Sequence, residues 1–533
     1  MPWEFTDKVR RRVAQEIGTA RPEGGRPRIC LAYPNTYHLG MSNLGFQTVY
    51  HLVNESPGAV CERTFLPDPE DLTAVGEAHQ PLFSYESERP LSEFDALAFS
   101  VSFELDYVNL ARILRLSGLP VLADSRGAQH PVVIAGGPCA TFNPEPIAGI
   151  VDAVLIGEAE PVIGQIVEAL RAPSRNQAIE RLAEIPGVYV PSRYQLSYDE
   201  DGAVRDYAAQ AGAADPVVRQ YVRALDDWPT YSRLLTAETE FGRMFLIEIS
   251  RGCGRGCRFC VASYSYRPLR RRSVEALLAA AELGLRHRAT IGLVGAAVSD
   301  YPEIDRLVTG ILDLGGKVSV SSLRADLASD TLIRALAASG AKTFTIAPEA
   351  GSQRLRDRIA KGIAEEAIFA ALGRAQKAGL RTAKLYFMIG LPGETIEDVA
   401  AIADLVHRIA ATTRFERVIV SVSSFVPKPG TPYEREAMAA PEELKARLDL
   451  LRRAFRHLGK VKLEAESPSW ALIQGMLSRG DRRLSPVLAA VGEGPGRLAD
   501  WRRALRAAGL DGRTIATRSR GRGERLPWAH LAA

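Results

Sequence analysis

Met244-Phe245-Leu246-Ile247-Glu248-Ile249-Ser250 runs directly into Arg251-Gly252-Cys253-Gly254-Arg255-Gly256-Cys257-Arg258-Phe259-Cys260. The apolar run predicts a buried strand, and three cysteines within eight residues fall on the loop at its carboxyl end. Thiolates are soft ligands suited to iron–sulfur clusters and to zinc. The spacing lets one loop wrap a single cluster face, and Gly252, Gly254 and Gly256 permit bends that side chains resist. Three thiolates hold three irons of a 4Fe–4S cluster and leave the fourth open for a chelating small molecule. A structural zinc ion usually takes four protein ligands, commonly in two pairs. No second cysteine pair exists, and His287, the nearest later histidine, is not part of a ligand-like repeat. A disulfide within the trio leaves the third cysteine without a role.

Working outward, later strands are predicted at Thr290 to Val294, Lys317 to Ser321, Lys342 to Ile346, Thr382 to Ile389 and Arg417 to Ser424. Helical stretches separate them, including Val274 to Leu285, Tyr301 to Leu314, Thr331 to Ser339, Glu365 to Ala378 and Ile396 to Ala410. Six strand–helix units predict an open, partial (β/α)6 barrel over residues 240–465. Upstream, strand candidates at Arg28 to Tyr33, Ala59 to Phe65, Ala96 to Ser102, Pro131 to Ala135 and Val151 to Ile156 alternate with helices. This predicts a Rossmann-like, doubly wound parallel sheet over residues 1–177, so the fold class is α/β throughout. Such sheets bind ligands at their strands' carboxyl ends. Residues 178–239 read as a connection with a hairpin, Val188 to Tyr207, around Asp201-Gly202. Residues 466–533 read as a small helical region with a frayed tail.

The chain has 533 residues, 46% of them apolar, with a net charge of +4, so no global nucleic-acid field is indicated. Basic character is local: Arg452-Arg453 through Arg456-His457, Lys460-Val461-Lys462, and the tail from Arg513 to Arg525. The remaining cysteines, Cys30, Cys61 and Cys139, stand alone and form no secreted disulfide framework. With no signal pattern and no bilayer-length apolar run, a cytoplasmic location without membrane contact is expected.

The three-cysteine motif, with Phe259 before its last cysteine and its place after the first strand of a partial barrel, resembles the radical SAM superfamily. The resemblance implies that the open iron chelates S-adenosylmethionine (SAM) and that one electron, from a donor such as flavodoxin or ferredoxin, cleaves it to a 5′-deoxyadenosyl radical. It also implies SAM contacts at Phe259, Ser322, Arg324, Glu349, Gly390 in the loop Ile389-Gly390-Leu391-Pro392-Gly393-Glu394-Thr395, and Val426. The family's usual Gly-Gly-Glu after the second strand is replaced by Leu293 to Asp300, leaving Ser299 or Asp300 as the partner of the methionine amino group. The run Arg267-Pro268-Leu269-Arg270-Arg271-Arg272 reads as a solvated helix start rather than as an anion site.

An alternating N-terminal domain before such a barrel resembles cobalamin-dependent radical SAM proteins. The resembling segments include Tyr33 to Gly45, Gly136-Gly137-Pro138, Asn143-Pro144-Glu145-Pro146, Gly157-Glu158-Ala159-Glu160 and Ser478 to Arg483. The implied cobalamin contacts are Asn35, Thr36, Ser102, Gly136, Gly137, Pro138 and Glu158. The Asp-x-His-x-x-Gly cobalt-ligand motif is absent, since His38 has the wrong spacing to Gly40. The leading expectation is a cobalamin-dependent radical SAM methyltransferase acting on an unidentified substrate. Radical cyclisation, rearrangement or oxidation without methyl transfer is the second. An RNA-associated iron–sulfur protein is the third, resting on the basic segments. Methylthio transfer is disfavoured because no second cysteine cluster supplies another sulfur-bearing centre.

Overall fold

A computed structural model describes residues 2–20, 24–78, 80–200 and 202–532. The first sheet contains β1 (Arg28–Tyr33), β2 (Val60–Phe65), β3 (Ala96–Ser100), β4 (Val132–Gly136), β5 (Ala153–Leu155) and β6 (Val188–Tyr189). Their order is 2-1-3-4-5-6, with the first five parallel and β6 antiparallel at the edge. The order reverses between β1 and β3, which is the switch point where doubly wound sheets open a crevice. Helices cover both faces, so β1, β2, β4 and β5 are buried along almost their whole length. Helix Leu44–Glu55 starts where the Asn43 side chain accepts the Phe46 N–H at 2.9 Å.

The second series is β7 (Met244–Glu248), β8 (Thr290–Val294), β9 (Lys317–Val320), β10 (Thr343–Glu349), β11 (Thr382–Ile389), β12 (Arg417–Ser424) and β13 (Val461–Ala465). All seven run parallel. A bridge from Leu323, just beyond β9, to Ile346 joins the first three strands to the last four. No pairing of β13 with β7 closes the ring among the described residues, so the barrel is open. The six expected strands are all present. The seventh lies in the stretch read from sequence as the basic segment Lys460-Val461-Lys462; it is an edge strand, and its residues are exposed or half-buried.

Two further expectations need correction. Val188–Tyr189 does not enter the connecting hairpin but pairs with β5; the hairpin is Tyr194–Tyr198 with Val204–Ala209, and Asp201 at its turn lies outside the described residues. The tail is docked rather than frayed. Leu526, Trp528 and His530 are buried, Trp528 Nε1 donates to Glu434 at 2.9 Å, and Leu531–Ala532 pairs in parallel with Val217–Val218. Large aromatic side chains anchor a segment whose local sequence looks loose.

Candidate active site

The cysteine loop hangs from a small antiparallel clamp. Ser250–Arg251, just past β7, pairs with Arg270–Arg271 and closes the loop at its base. Gly252 has φ +83°, and a Cβ there would stand 2.3 Å from the Tyr266 carbonyl oxygen, so only glycine fits. Cys253 and Cys257 are buried, Cys260 is half-buried, and none is in a disulfide. Burial pushes the Cys257 thiol up, while Lys361 and Arg324 pull it back and Cys260 and Cys253 add to the rise. The three sulfurs therefore share one pocket of field with two cations beside it.

Apart from Phe259, which is on the cysteine loop itself, the residues expected to contact SAM sit at the carboxyl ends of β8 to β12. Phe259 and Met388 both pack against the cluster that contains Leu391, Phe425 and Tyr433, and Val426 is buried in the main core. Ser299 Oγ accepts the Arg324 N–H at 3.1 Å. The Arg324 side chain pairs with Asp326 at 3.0 Å and donates to the Lys361 carbonyl at 3.1 Å. Asp300 pairs with Arg255 at 2.5 Å. Glu349, at φ +69°, pairs with Lys361 Nζ at 3.0 Å, and Ser322 is half-buried. Gly390 has φ +80°, and its N–H is spent on Glu394 at 2.6 Å. Burial raises the Glu394 carboxyl to about 7 against the pull of the Gly390 N–H and Arg447. Lys361, Asp326 and Glu394 were missed from sequence: Lys361 is identified by Glu349, whereas Asp326 and Glu394 are identified by their nearby partners Arg324 and Gly390.

Between the first sheet and the barrel lies a cavity of about 700 Å³, within the roughly 300–1,000 Å³ of small-molecule sites. Ser102, Gly136, Gly137, Pro138 and Glu158 line it. Gly137 has φ +104°, and a Cβ would meet the Val101 carbonyl oxygen at 2.6 Å. Asn35 and Thr36 are not on the wall: Asn35 Nδ2 donates to Asp106 at 2.7 Å and its Oδ1 accepts the Thr36 N–H at 2.9 Å. Burial raises Asp106 to about 6 despite Asn35 and Asn109. One arm of the cavity runs between the sheet and helices Leu44–Glu55 and Ile163–Ala169, walled by Leu31, Val53, Ile134, Leu155 and Ile166. The other reaches Met244, Leu246, Val294, Ser319 and Ser321 of the barrel.

Where these two parts meet, a buried lattice of charges ties them together. Arg270 holds Glu158 with two bonds of 2.9 and 2.7 Å. Arg251 reaches Glu158 at 3.0 Å, Glu160 at 2.6 Å and Glu248 at 2.9 Å, and Arg272 reaches Glu248 at 2.7 Å. Burial works to raise Glu158, but Arg270 and Arg251 overrule it and hold the carboxyl below its ordinary range. The reading of the arginine run as solvated therefore fails for Arg270 and Arg272, which are buried, and holds for Arg267 and Arg271, which are exposed. Glu158 is committed to this lattice while it walls the cavity.

Residues 45–191 match the family described as radical SAM proteins, N-terminal, and residues 247–406 match the radical SAM superfamily. An uncharacterised protein of Methanocaldococcus jannaschii is 32% identical over 463 residues, which is 86% of this chain and 90% of that protein. The chain belongs to the radical SAM superfamily. An uncharacterised methyltransferase of Pyrococcus horikoshii is 27% identical over 50% of this chain and 56% of its own length. A tRNA-2-methylthio-N(6)-dimethylallyladenosine synthase of Pelotomaculum thermopropionicum is 26% identical over 50% of this chain and 61% of its own length. Among solved structures, the apo form of the cobalamin-dependent S-adenosylmethionine radical enzyme OxsB aligns at 17% identity and TM-score 0.49, covering 73% of this chain and 53% of that one.

As a radical SAM enzyme the chain uses a 4Fe–4S cluster and SAM, and its cysteine loop fits the cluster. The donor set is three free thiols. Among the described residues, the one histidine, cysteine or carboxylate trio whose ligand atoms all lie within 4.8 Å of one another is Asp68, Glu70 and Asp71. The three cysteines are not such a trio. Asp68, Glu70 and Asp71 are already bound to Lys8 and Arg12. Of the basic segments, Lys462 pairs with Glu464, Arg513 with Glu442, Arg518 with Glu524 and Arg525 with Asp206. No helix among the described residues is long and apolar enough to cross a membrane.

Proposed function

We propose that the chain is a cobalamin-dependent radical SAM methyltransferase, with residues 1–177 holding cobalamin, 178–239 connecting, and 240–465 holding the cluster and SAM. The observation that carries this reading is the single cavity bounded by the switch-point loops of the first sheet, the lumen side of β7 to β9, and Arg251 and Gly252 at the root of the cysteine loop. Its apolar arm would accept part of a bound cobalamin, and Gly136 and Gly137 keep side chains out of the floor. When bound, the cluster supplies the electron that splits SAM, and cobalamin carries the methyl group.

The chain's own residues do the rest. Cys253, Cys257 and Cys260 hold the cluster, Lys361 and Arg324 offset the thiolate charge, and Phe259 shields the loop from one side. The lattice of Glu158, Arg251 and Arg270 fixes the loop against the cavity wall. Apolar walls exclude water from a reactive radical. Methylthio transfer is a weaker reading, because Cys30 and Cys61 are buried on the paired strands β1 and β2, Cys139 is buried on the helix Pro138–Phe142, and the three form no second trio among the described residues.

Anaerobic reconstitution with iron, sulfide and hydroxocobalamin tests the proposal. Bound cobalamin, together with both S-adenosylhomocysteine and 5′-deoxyadenosine as products, is expected, and Gly137→Ala should lose cobalamin while keeping iron. Formation of 5′-deoxyadenosine alone, with no cobalamin retained, would remove the methyl-transfer reading.

A further inference from the structure

Among the described residues, the cavity wall carries four charged side chains, Glu158, Glu160, Glu248 and Arg251. All four belong to the buried lattice, where Arg251, Arg270 and Arg272 face Glu158, Glu160 and Glu248. Three cations meet three anions, so the wall presents no surplus charge to a ligand.

Its neutral polar groups divide between the two arms. Toward the first sheet, Asn43 donates to Ser102 at 3.0 Å and Ser42 to the His38 carbonyl at 2.6 Å. Thr48 donates to the Leu44 carbonyl at 2.8 Å and Thr141 to the Gly137 carbonyl at 2.9 Å, which leaves Ser100 alone on that side without a side-chain partner. Toward the barrel, Thr230 is held by Arg251 at 3.1 Å. The hydroxyls of Ser250, Tyr266, Ser319 and Ser321, by contrast, make no hydrogen bond among the described residues. None of these four oxygens is sealed in the interior; they open on the cavity. Leu246, Gly292 and Ser319 stand in register across β7, β8 and β9, and Ser321 follows Ser319 on the same face. Tyr266 comes from the cysteine loop, with its carbonyl oxygen against Gly252. Free hydroxyls from two walls thus share one chamber with Met244, Leu246 and Val294.

We infer that the barrel arm of the cavity binds an uncharged substrate group, a carbonyl, amide or hydroxyl on a largely apolar frame, through hydrogen bonds from Tyr266 and Ser319. This rests on the reading of the cavity as the reaction chamber and names the chemical class of substrate that the chamber takes. A hydroxyl both donates and accepts, so it matches either end of a neutral amide. An ionised group would enter without a counter-charge, because the members of the lattice already hold one another, and burying an unpaired charge is costly. Burial pushes the Tyr266 phenol up, and Cys139 and Glu158 add to the rise against Arg251 and Arg219, so the phenol keeps its proton and donates.

Equilibrium dialysis of the anaerobically reconstituted full chain against 2-naphthamide, 2-naphthoate, 2-naphthylmethylammonium and naphthalene tests this. The amide should bind at least about tenfold more tightly than either ion. Tyr266→Phe combined with Ser319→Ala should weaken the amide about tenfold, the combined effect of two neutral hydrogen bonds, and leave naphthalene unchanged. An amide that does not bind, an ion that binds as tightly as the amide, or an amide affinity untouched by the double substitution would overturn the site. Iron and cobalamin content keep this outcome apart from the methyl-transfer reading. The double variant should retain both at the level of the unsubstituted chain while losing amide affinity. An unsubstituted chain that holds no cobalamin yet selects the amide would remove methyl transfer and leave the substrate class standing.

Discussion

The first sheet and the barrel are both built of parallel strands, yet they bury them differently. In the first sheet, helices cover both faces and β1, β2, β4 and β5 are buried residue after residue. In the barrel, β11 and β12 alternate buried with half-buried positions along eight residues each. The same backbone geometry thus yields a scaffold in one place and an open chamber in the other. The cysteines follow the division. Cys30 and Cys61 are packed inside the first sheet as small apolar groups, whereas Cys253, Cys257 and Cys260 sit on a loop at a strand end with cations facing them.

The sharpest way to break this contrast is to exchange cysteines on both sides of it. Cys257→Ala should reduce bound iron and SAM cleavage to background, while Cys30→Ala should keep full iron loading; equal loss in both would erase the distinction. Packing provides the next test. Leu97→Ala in β3, at a fully buried position, should cost about 2–5 kcal/mol in chemical denaturation, and Ile419→Ala on the lumen side of β12 less than about half of that.

A pH test addresses the docked tail. His530 is buried against Tyr189, Tyr194 and Tyr207, with Glu145 at 3.9 Å and Arg482 and Asp215 in its field. Burial lowers its pKa from 6.5 to about 4, so the unfolded chain binds a proton that the folded chain refuses between those values. Stability should therefore fall as pH drops through that window, by roughly 3 kcal/mol at completion. His530→Phe should remove that part of the slope in acid denaturation followed by circular dichroism.

Much of this was legible in the sequence. The barrel strands at Thr290–Val294, Thr382–Ile389 and Arg417–Ser424 fall at their expected limits, because each is an apolar run bounded by turn residues or a helix. The cysteine loop was legible because its ligands are local. What escaped depends on distant partners. Arg270 looks like a surface charge until Glu158, 112 residues earlier, is folded onto it. The short Val461–Ala465 strand has its neighbour Val418–Val422 more than forty residues upstream. The tail looks loose because its aromatic anchors find partners in the hairpin, in Glu434 and in Val217–Val218.

The central claim is that three thiolates carry one cluster with a vacant iron. Electron paramagnetic resonance of the anaerobically reconstituted, dithionite-reduced protein, with and without SAM, tests it most directly. A reduced 4Fe–4S signal that changes shape when SAM is added, and vanishes in Cys257→Ala, is the expected result. A protein that holds a lone zinc ion, or a cluster whose signal is indifferent to SAM, would contradict the account.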